Sequence, residues 1–405
     1  MKVNEGIGLV YGVEPMRSRP VPILHVITGL NTGGAEMMLY KLLAVHDAER
    51  FAPAVVVLAD SGTIGPRIER LGIPVYPLYL MQDAHLVDPP ELARKILRAG
   101  SRLAKLVDRL QPRLVQGWMY HGNLGATFAS CLALRGIPAV WNVRQSLYDI
   151  SAEKPFTRIA VRANAALSFQ PQKIIYNSTT AAQHHEQQGF ASAKRQIIPN
   201  GFDCDHFHPQ ADAHSWLCHE LGLSQDSVLI GLIGRYHDMK DHRNLVEAAR
   251  WLVPQLSNLH FILAGRNVTP ENPVLQQQIS EAGVGRHFHL LGERTDISRL
   301  MAGLDILAST SWTEAFPNVI GEAMASGVPC VVTDVGDSVA IVEKTGLVVP
   351  PRDPKGLAGA LAALLAAGSD YRRYLGQSAR QRVLDTYALP QISRQYEALY
   401  TRILA

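Results

Sequence analysis

The sequence predicts an α/β protein built from two doubly wound domains that face one another across a cleft. Three observations predict it. Short, almost wholly apolar runs of strand length alternate with segments of helical periodicity. The alternation restarts after Pro199–Asp212 (PNGFDCDHFHPQAD), a polar stretch rich in turn residues. A chain of 405 residues also fits about two or three domains.

The elements follow in order. Met1–Arg19 carries Glu5, Glu14 and Arg17 and lacks a sustained apolar core, so residues 1–20 read as a loose leader and not as a signal peptide. Val21–Thr28, Ala54–Leu58, Val75–Leu80, Leu114–Trp118, Ala139–Val143 and Ile174–Tyr176 read as buried strands. Helical segments such as Glu36–His46 and Glu91–Leu110 lie between them. Buried strands alternating with helices argue for a parallel sheet covered on both faces. This first domain spans residues 21–198. The second, 199–386, repeats the pattern with Val228–Ile233, His260–Ala264, Phe288–Leu291, Ile306–Ala308 and Cys330–Val332 as strands. Asn244–Leu256 and Leu357–Ala367 are among its helices. Tyr371–Leu404 is helical by periodicity, with Pro390 marking a kink or a restart. Residues 387–405 form the final helix.

Composition removes several function classes. Hydrophobic residues make up 47% and charged residues 19%, the balance of a globular chain. A net charge of +3 gives no ground for a nucleic-acid partner. Cys131, Cys204, Cys218 and Cys330 form no C-x-x-C pair and read as reduced thiols of a cytoplasmic protein. The pair His184 and His185, like His206 and His208, lacks the neighbours that a metal needs, so no metal is expected. No apolar run approaches the roughly 20 residues that span a bilayer.

Open α/β sheets bind ligands beyond the carboxyl ends of their strands. Gly231–Arg235 follows the first strand of the second domain, and Lys240 comes five residues later. Two cations on one such loop suit a diphosphate; the plain alternative is two solvated side chains. Gly265 and Arg266 close the next strand, and Arg266 is placed to serve the same anion. In Leu291–Asp296 (LGERTD), Thr295 or Asp296 fits a helix N-cap, or the loop presents backbone groups to a nucleobase. Ser311–Gly327 (SWTEAFPNVIGEAMASG) carries the strongest signal. Pro317 and Asn318 fit the start of a helix Val319–Ser326, whose free N–H groups and positive dipole end suit a phosphate. Glu314 precedes that helix and Glu322 lies one turn inside, so both point into one pocket at different depths. Carboxylates there suit paired hydroxyls; a first-turn acid complementing the helix dipole is the plain alternative.

The first domain adds three candidates. Gly33 and Gly34, in GLNTGGAE after the first strand, let the backbone come close to a ligand. His121 lies just past the fourth strand and Arg144 past the fifth. They are placed to orient a sugar hydroxyl and an anionic acceptor group. Along Glu91–Arg113, Arg94, Lys95, Arg98, Arg102, Lys105, Arg109 and Arg113 fall in a stripe about 100° wide, beside an apolar arc of Leu92, Ile96, Ala99, Leu103, Leu106 and Leu110. The stripe is either a solvated face or a contact for anionic lipid heads.

These residues resemble the retaining family-4 glycosyltransferases of the GT-B fold, two Rossmann-like domains around a central cleft. The carriers are HVITGLNTGGAE, PNGFDCDHF, GRYHDMKD, LGERTD and SWTEAFPNVIGEAMASGVPCVVTDVGD, and the resemblance runs through nearly the whole chain from Ile23. It implies a nucleotide-sugar donor seated mainly on the second domain. Arg235 and Lys240 would hold the donor diphosphate, and Glu314 would contact the transferred sugar. Phe316, Pro317 and Asn318 would supply backbone contacts, and Glu322 would hold the ribose. Gly33 and Gly34 would approach the phosphates, and His121 would sit near the reacting sugar. It further implies no metal and no cofactor, retention of configuration, and a last helix that returns to the first domain. One departure stands out: many relatives read G-F-G or G-L-P after the first glutamate, where this chain has Ala315-Phe316-Pro317.

The expected activity is sugar transfer from a UDP- or GDP-sugar to a glycan or lipid-linked acceptor, in cell-surface polysaccharide or glycolipid synthesis. The expected place is the cytoplasm, with peripheral contact at the inner face of the plasma membrane. A nucleotide-sugar epimerase of the same architecture and a catalytically weak sugar-nucleotide-binding protein are the alternatives.

Overall fold

A computed structural model of the protein describes residues 19–80, 89–132 and 136–405. The leader expected at the start lies, up to residue 18, outside the described residues. Strands β1 (Val21–Ile27), β2 (Phe51–Val57), β3 (Val75–Pro77), β4 (Leu114–Trp118), β5 (Ala139–Val143), β6 (Lys173–Tyr176) and β7 (Arg195–Ile197) form one sheet in the order β3-β2-β1-β4-β5-β6-β7. Strands β8 (Val228–Ile233), β9 (Leu259–Ala264), β10 (Phe288–Leu290), β11 (Ile306–Ser309), β12 (Cys330–Thr333) and β13 (Gly346–Val349) form a second, ordered β10-β9-β8-β11-β12-β13. Adjacent strands run parallel in both. The strand order reverses between β1 and β4 and again between β8 and β11, which are the places where such sheets open a ligand crevice.

Side-chain alternation splits β1 between two cores. Ile23 and Ile27 join Met38, Leu39 and Leu42 of helix Gly34–Val45 on one face. Leu24 and Val26 join Ala99, Leu103 and Val107 of helix Pro89–Leu110 on the other. Register brings Ile27 level with Trp118, and Trp118 level with Asn142, so the loops after β1, β4 and β5 leave the sheet on one edge.

Differences from the sequence expectation have local causes. The edge strands β7 and β13 are short and partly exposed; β7 (Arg-Gln-Ile) has no apolar run, and that of β13 (Gly-Leu-Val-Val) is brief. Helix Met119–Leu132 starts directly on β4 through Met119, whose φ is +61°. The terminal helical run is two helices, Gly368–Thr386 and Leu389–Leu404, with Pro390 in the first turn of the second, where its missing N–H costs nothing.

The chain crosses between the sheets twice, and the crossings are tied together. Phe202 N–H donates to Tyr387 O at 2.8 Å, and Leu389 N–H donates to Phe202 O at 2.9 Å. Beyond that knot, helix Leu389–Leu404 lies on the first sheet. Leu389, Ile392, Tyr396, Leu399 and Tyr400 enter its core, each contributing about 1.5–3 kcal/mol by burial. The Tyr396 ring stacks on Trp118 with centroids 6.4 Å apart, and the Tyr400 hydroxyl bonds Gln116 Oε1.

Candidate functional site

The turn between β11 and helix Asn318–Ala325 is braced by several hydrogen bonds. The Thr310 hydroxyl donates to Lys240 O at 2.7 Å, and Trp312 N–H donates to Met239 O at 3.0 Å. The Trp312 indole N–H donates to Asp238 O at 2.9 Å, and the Thr333 hydroxyl donates to Ser311 O at 2.5 Å. These bonds fix the loop Asp238–Lys240 against the turn. As a result Lys240 Nζ meets Glu314 Oε1 at 2.5 Å, and the Ser311 hydroxyl donates to the same oxygen at 2.9 Å. Asp241, in left-handed backbone at φ +47°, ends the Lys240 loop and caps the following helix through Asn244 N–H.

Behind the turn the chain passes very close at Gly336. Its φ is +56°, and a Cβ there would lie 2.6 Å from Glu314 O and 2.7 Å from Ala315 O. Only glycine fits. The next residue, Asp337, donates its N–H to Ala315 O at 3.0 Å. Its carboxylate reaches the first domain, accepting from Thr179 N–H at 2.9 Å and from the Thr180 N–H and hydroxyl at 3.2 Å. One aspartate therefore joins the Glu314 turn to the start of helix Thr179–Gln187.

A second tie runs through Arg144. Its guanidinium donates to Asn142 Oδ1 at 3.0 Å, to the Tyr396 hydroxyl at 2.7 Å and to Asn200 Oδ1. Asn200 in turn donates to Asn318 Oδ1 at 2.6 Å, at the first residue of the helix that follows the turn. Burial pulls the Arg144 pKa down, and the Tyr396 hydroxyl partly offsets it.

Between these ties lies a pocket of about 540 Å³, within the usual size for small-molecule sites. Arg235, Glu314 and Asn318 line it from the second domain, and Gly34, Arg144 and Glu153 from the first. The N-cap position of helix Asn318–Ala325 is Pro317, which offers no side-chain cap; Ile320 N–H turns back to Pro317 O at 3.2 Å, and the N–H groups of Asn318 and Val319 before it suit an anion. Tyr148 meets Trp312 edge-on across the pocket at 5.5 Å, and Arg352 lies over the Trp312 ring at 4.6 Å.

Of the other candidates only Phe316 reaches that lining. Phe316 and Pro317 are buried, and Phe316 stacks on Phe202 at 6.1 Å. Glu322 is half-buried on the inner side of its helix; burial raises its pKa, while Lys41, His206 and Lys240 pull it back. Gly33 is the N-cap of helix Gly34–Val45. Arg266 and Thr295 are exposed beyond β9 and β10, and Arg294 beside Thr295 is held by Glu220 and Asp296. Because the helix begins at once after β4, His121 sits in its first turn. There it lines an apolar groove with Leu58, Leu78, Ile96 and Phe128, and burial lowers its pKa. Sequence reasoning passed over Asn200, Tyr148, Trp312 and Asp337. Three of them lie inside or just beside quoted motifs; Tyr148 carries no sequence signal.

Residues 32–206 match the family model described as Glycosyltransferase Family 4, and residues 227–367 match Glycosyl transferases group 1. The chain belongs to this glycosyltransferase family, with the GT-B fold. It is 30% identical over 217 residues to the lipopolysaccharide core biosynthesis mannosyltransferase LpsB of Rhizobium meliloti, covering 51% of this chain and 61% of that protein. It is 26% identical over 329 residues to the putative glycosyltransferase EpsF of Bacillus subtilis, covering 79% of this chain and 80% of that protein. The structure of Anabaena HepE in complex with UDP superposes with a TM-score of 0.78 at 22% identity, covering 95% of this chain and all of that one. Several further curated relatives are matched over only about half of their length.

Proposed function

We propose that the protein transfers a hexosyl-type sugar from a nucleotide-sugar to a glycan or lipid-linked acceptor, with retention and without a metal, in cell-surface polysaccharide or glycolipid synthesis. One observation carries the reading: Glu314 bonded to Lys240, with Arg235 and the open helix end at Asn318 beside them, in a pocket walled by both domains. In the transition state the departing diphosphate gains negative charge. Lys240, held by Glu314, and the helix N–H groups are set to receive it, with Arg235 on the same wall, which is how an enclosed site lowers such a barrier. Glu314, held by Lys240 and Ser311, accepts from hydroxyls of the transferred sugar. Glu322 serves the ribose, and His121 and Arg144 stand on the acceptor side. Among the described residues no group of three His, Cys, Asp or Glu is gathered.

The UDP carried by the Anabaena relative makes UDP-sugars the first donors to test, with GDP-sugars second. The acceptor is proposed to lie at the cytoplasmic face of a membrane, met by the exposed cations Arg94, Arg98, Arg102, Lys105 and Arg109 of helix Pro89–Leu110. No described helix is long and apolar enough to cross a bilayer. A donor panel scored by nucleotide release tests the reading. Release from one donor, unchanged by EDTA, is the expected result. A requirement for added metal overturns the metal-free clamp, and free epimerised sugar-nucleotide as the product overturns transfer itself.

A further inference from the structure

The first-domain wall of the Glu314 pocket carries polar groups that the donor chemistry does not use. Glu153 is set there by a directed series of hydrogen bonds. Burial keeps His185 neutral, lowering its pKa to about 4. Its Nδ1 lies 2.7 Å from Ala181 O, a carbonyl that can only accept, so Nδ1 carries the proton. Nε2 is then an acceptor, and the Tyr120 hydroxyl donates to it at 2.8 Å. The Tyr120 oxygen accepts from Gln145 Nε2 at 3.2 Å, and the same amide nitrogen donates to Glu153 Oε1 at 3.1 Å. Gln145 and Glu153 both line the pocket. Among the described residues no cation pairs with Glu153, so its carboxylate keeps acceptor capacity for a ligand.

Two unmet groups belong to the same wall. Asn177 lines the pocket and is 2% exposed; its Nδ2 donates to Arg144 O at 3.3 Å, while its Oδ1 has no partner. The terminal nitrogens of Arg144 are committed to Asn142, Tyr396 and Asn200, which leaves Nε buried and unmet. A buried donor or acceptor without a partner is costly. An unmet acceptor and an unmet donor on neighbouring residues ask for a group that does both, which a hydroxyl does and an ionised carboxylate or phosphate does not. Asp149, which closes the turn Ile150–Ala152 through Ser151, adds a second negative charge beside Glu153. An anion on the ligand would meet both, and like charges brought together are a common device for rejecting a partner. The cations of the opposite wall, Arg235 and Lys240, are answered by the donor diphosphate in the proposed transfer. The Tyr148 ring, 66% exposed and edge-on to Trp312 at 5.5 Å, offers a flat apolar face to the C–H side of a sugar ring.

We infer that this wall is a subsite for an uncharged sugar ring of the acceptor, with Glu153 and Asn177 accepting from its hydroxyls and Tyr148 packed on its face. A ring that bears a phosphate or a carboxylate is turned away by Glu153 and Asp149. That the ring belongs to the acceptor rests on the proposed transfer; that the wall takes an uncharged sugar does not.

Full-length protein, with and without UDP, is titrated by saturation-transfer NMR with the methyl glycosides of glucose, galactose, mannose and N-acetylglucosamine, and with their 6-phosphate and uronic acid counterparts. At least one uncharged glycoside is expected to bind, and its charged counterparts to bind about tenfold more weakly. Glu153→Gln should weaken the uncharged glycoside by about tenfold at an unchanged melting temperature. Glu153→Arg should raise the 6-phosphate to or above its parent glycoside, a reversal that a residue merely bracing the loop would not produce. Tyr148→Ala should weaken the bound glycosides alike. No binding by any uncharged glycoside, equal or tighter binding of a charged counterpart by the wild type, or an unchanged preference in both Glu153 variants overturns the inference. Nucleotide release from the donor panel is read separately. If no donor is turned over while the sugar pattern holds, the transfer reading falls and the subsite stands.

Discussion

The two walls of the Glu314 pocket are braced to different degrees. On the second-domain wall, Thr310, Ser311, Trp312, Glu314 and Thr333 are each tied to a neighbour across the turn, and Gly336 closes behind them without room for a methyl group. On the first-domain wall, Arg144 is tied inward to Asn142 and Tyr396, while Tyr148 stands largely in solvent and meets the other wall through the edge of Trp312. A wall fixed by backbone and side-chain bonds suits a ligand part that never varies, such as a diphosphate with its ribose. A wall of exposed side chains on loops suits a part that differs between relatives.

The largest test of that contrast is at the fixed wall. Glu314→Gln and Lys240→Met should each lower nucleotide release by about 10²–10³ with little change in melting temperature, since each removes a preorganised polar contact. A loss of less than about threefold would remove both residues from the chemistry.

Acid comes next, and it should weaken both domains. Burial lowers the His25 pKa to about 3 and the His185 pKa to about 4, both in the first domain. In the unfolded chain each titrates near about 6.5. Above that value both states are neutral and nothing is gained. Below it the unfolded state binds protons that the folded state refuses, so stability falls as pH drops from about 6.5 toward these folded values, by at most about 1.4 kcal/mol per unit per histidine. Urea midpoints at about pH 7.5 and about pH 5 measure the loss. His25→Gln should shrink it; an undiminished loss places the sensitivity elsewhere. His242 and His289, both lowered to about 4 by burial, make the same demand on the second domain.

Gly336→Ala should cost about 1–3 kcal/mol in urea unfolding, from strain at φ +56° and contact with two carbonyl oxygens. Wild-type stability in this variant would mean that the turn can yield. Asp337→Ala is the finest probe, because it cuts one tie between the walls and leaves the pocket residues in place. Release should fall by about tenfold, and Trp312 emission should shift as its contact with Tyr148 loosens. Unchanged turnover and emission would make that aspartate a simple helix cap.

Most of the second-domain wall was legible in sequence, because its residues are neighbours in one motif. Glu314, Pro317 and Asn318 are joined by local chain geometry, and Lys240 arrives through a loop of fixed length. The first-domain side was less legible. Arg144 reads as a ligand group from its place after β5, but its hydrogen bonds go to Asn200 and Tyr396, which no local pattern connects. Asp337 is similar: the quoted motif contains it, yet its partners Thr179 and Thr180 belong to the other domain. Helix Met119–Leu132 escaped notice because it is wedged between two others and is apolar nearly all round, which erases the period.

The helix Leu389–Leu404 has a consequence for how the chain is made. It follows the whole second domain in sequence, yet Tyr396, Leu399 and Tyr400 complete the core of the first. As translation proceeds, the sheet β1–β7 emerges with that face still bare, and it stays bare until the second domain has been synthesised. The domain begun first is thus finished late, and the second domain behaves as a long insertion within it. A ribosome stalled before Leu389 would hold a folded second domain beside a first one still exposing apolar surface, a state suited to chaperone capture.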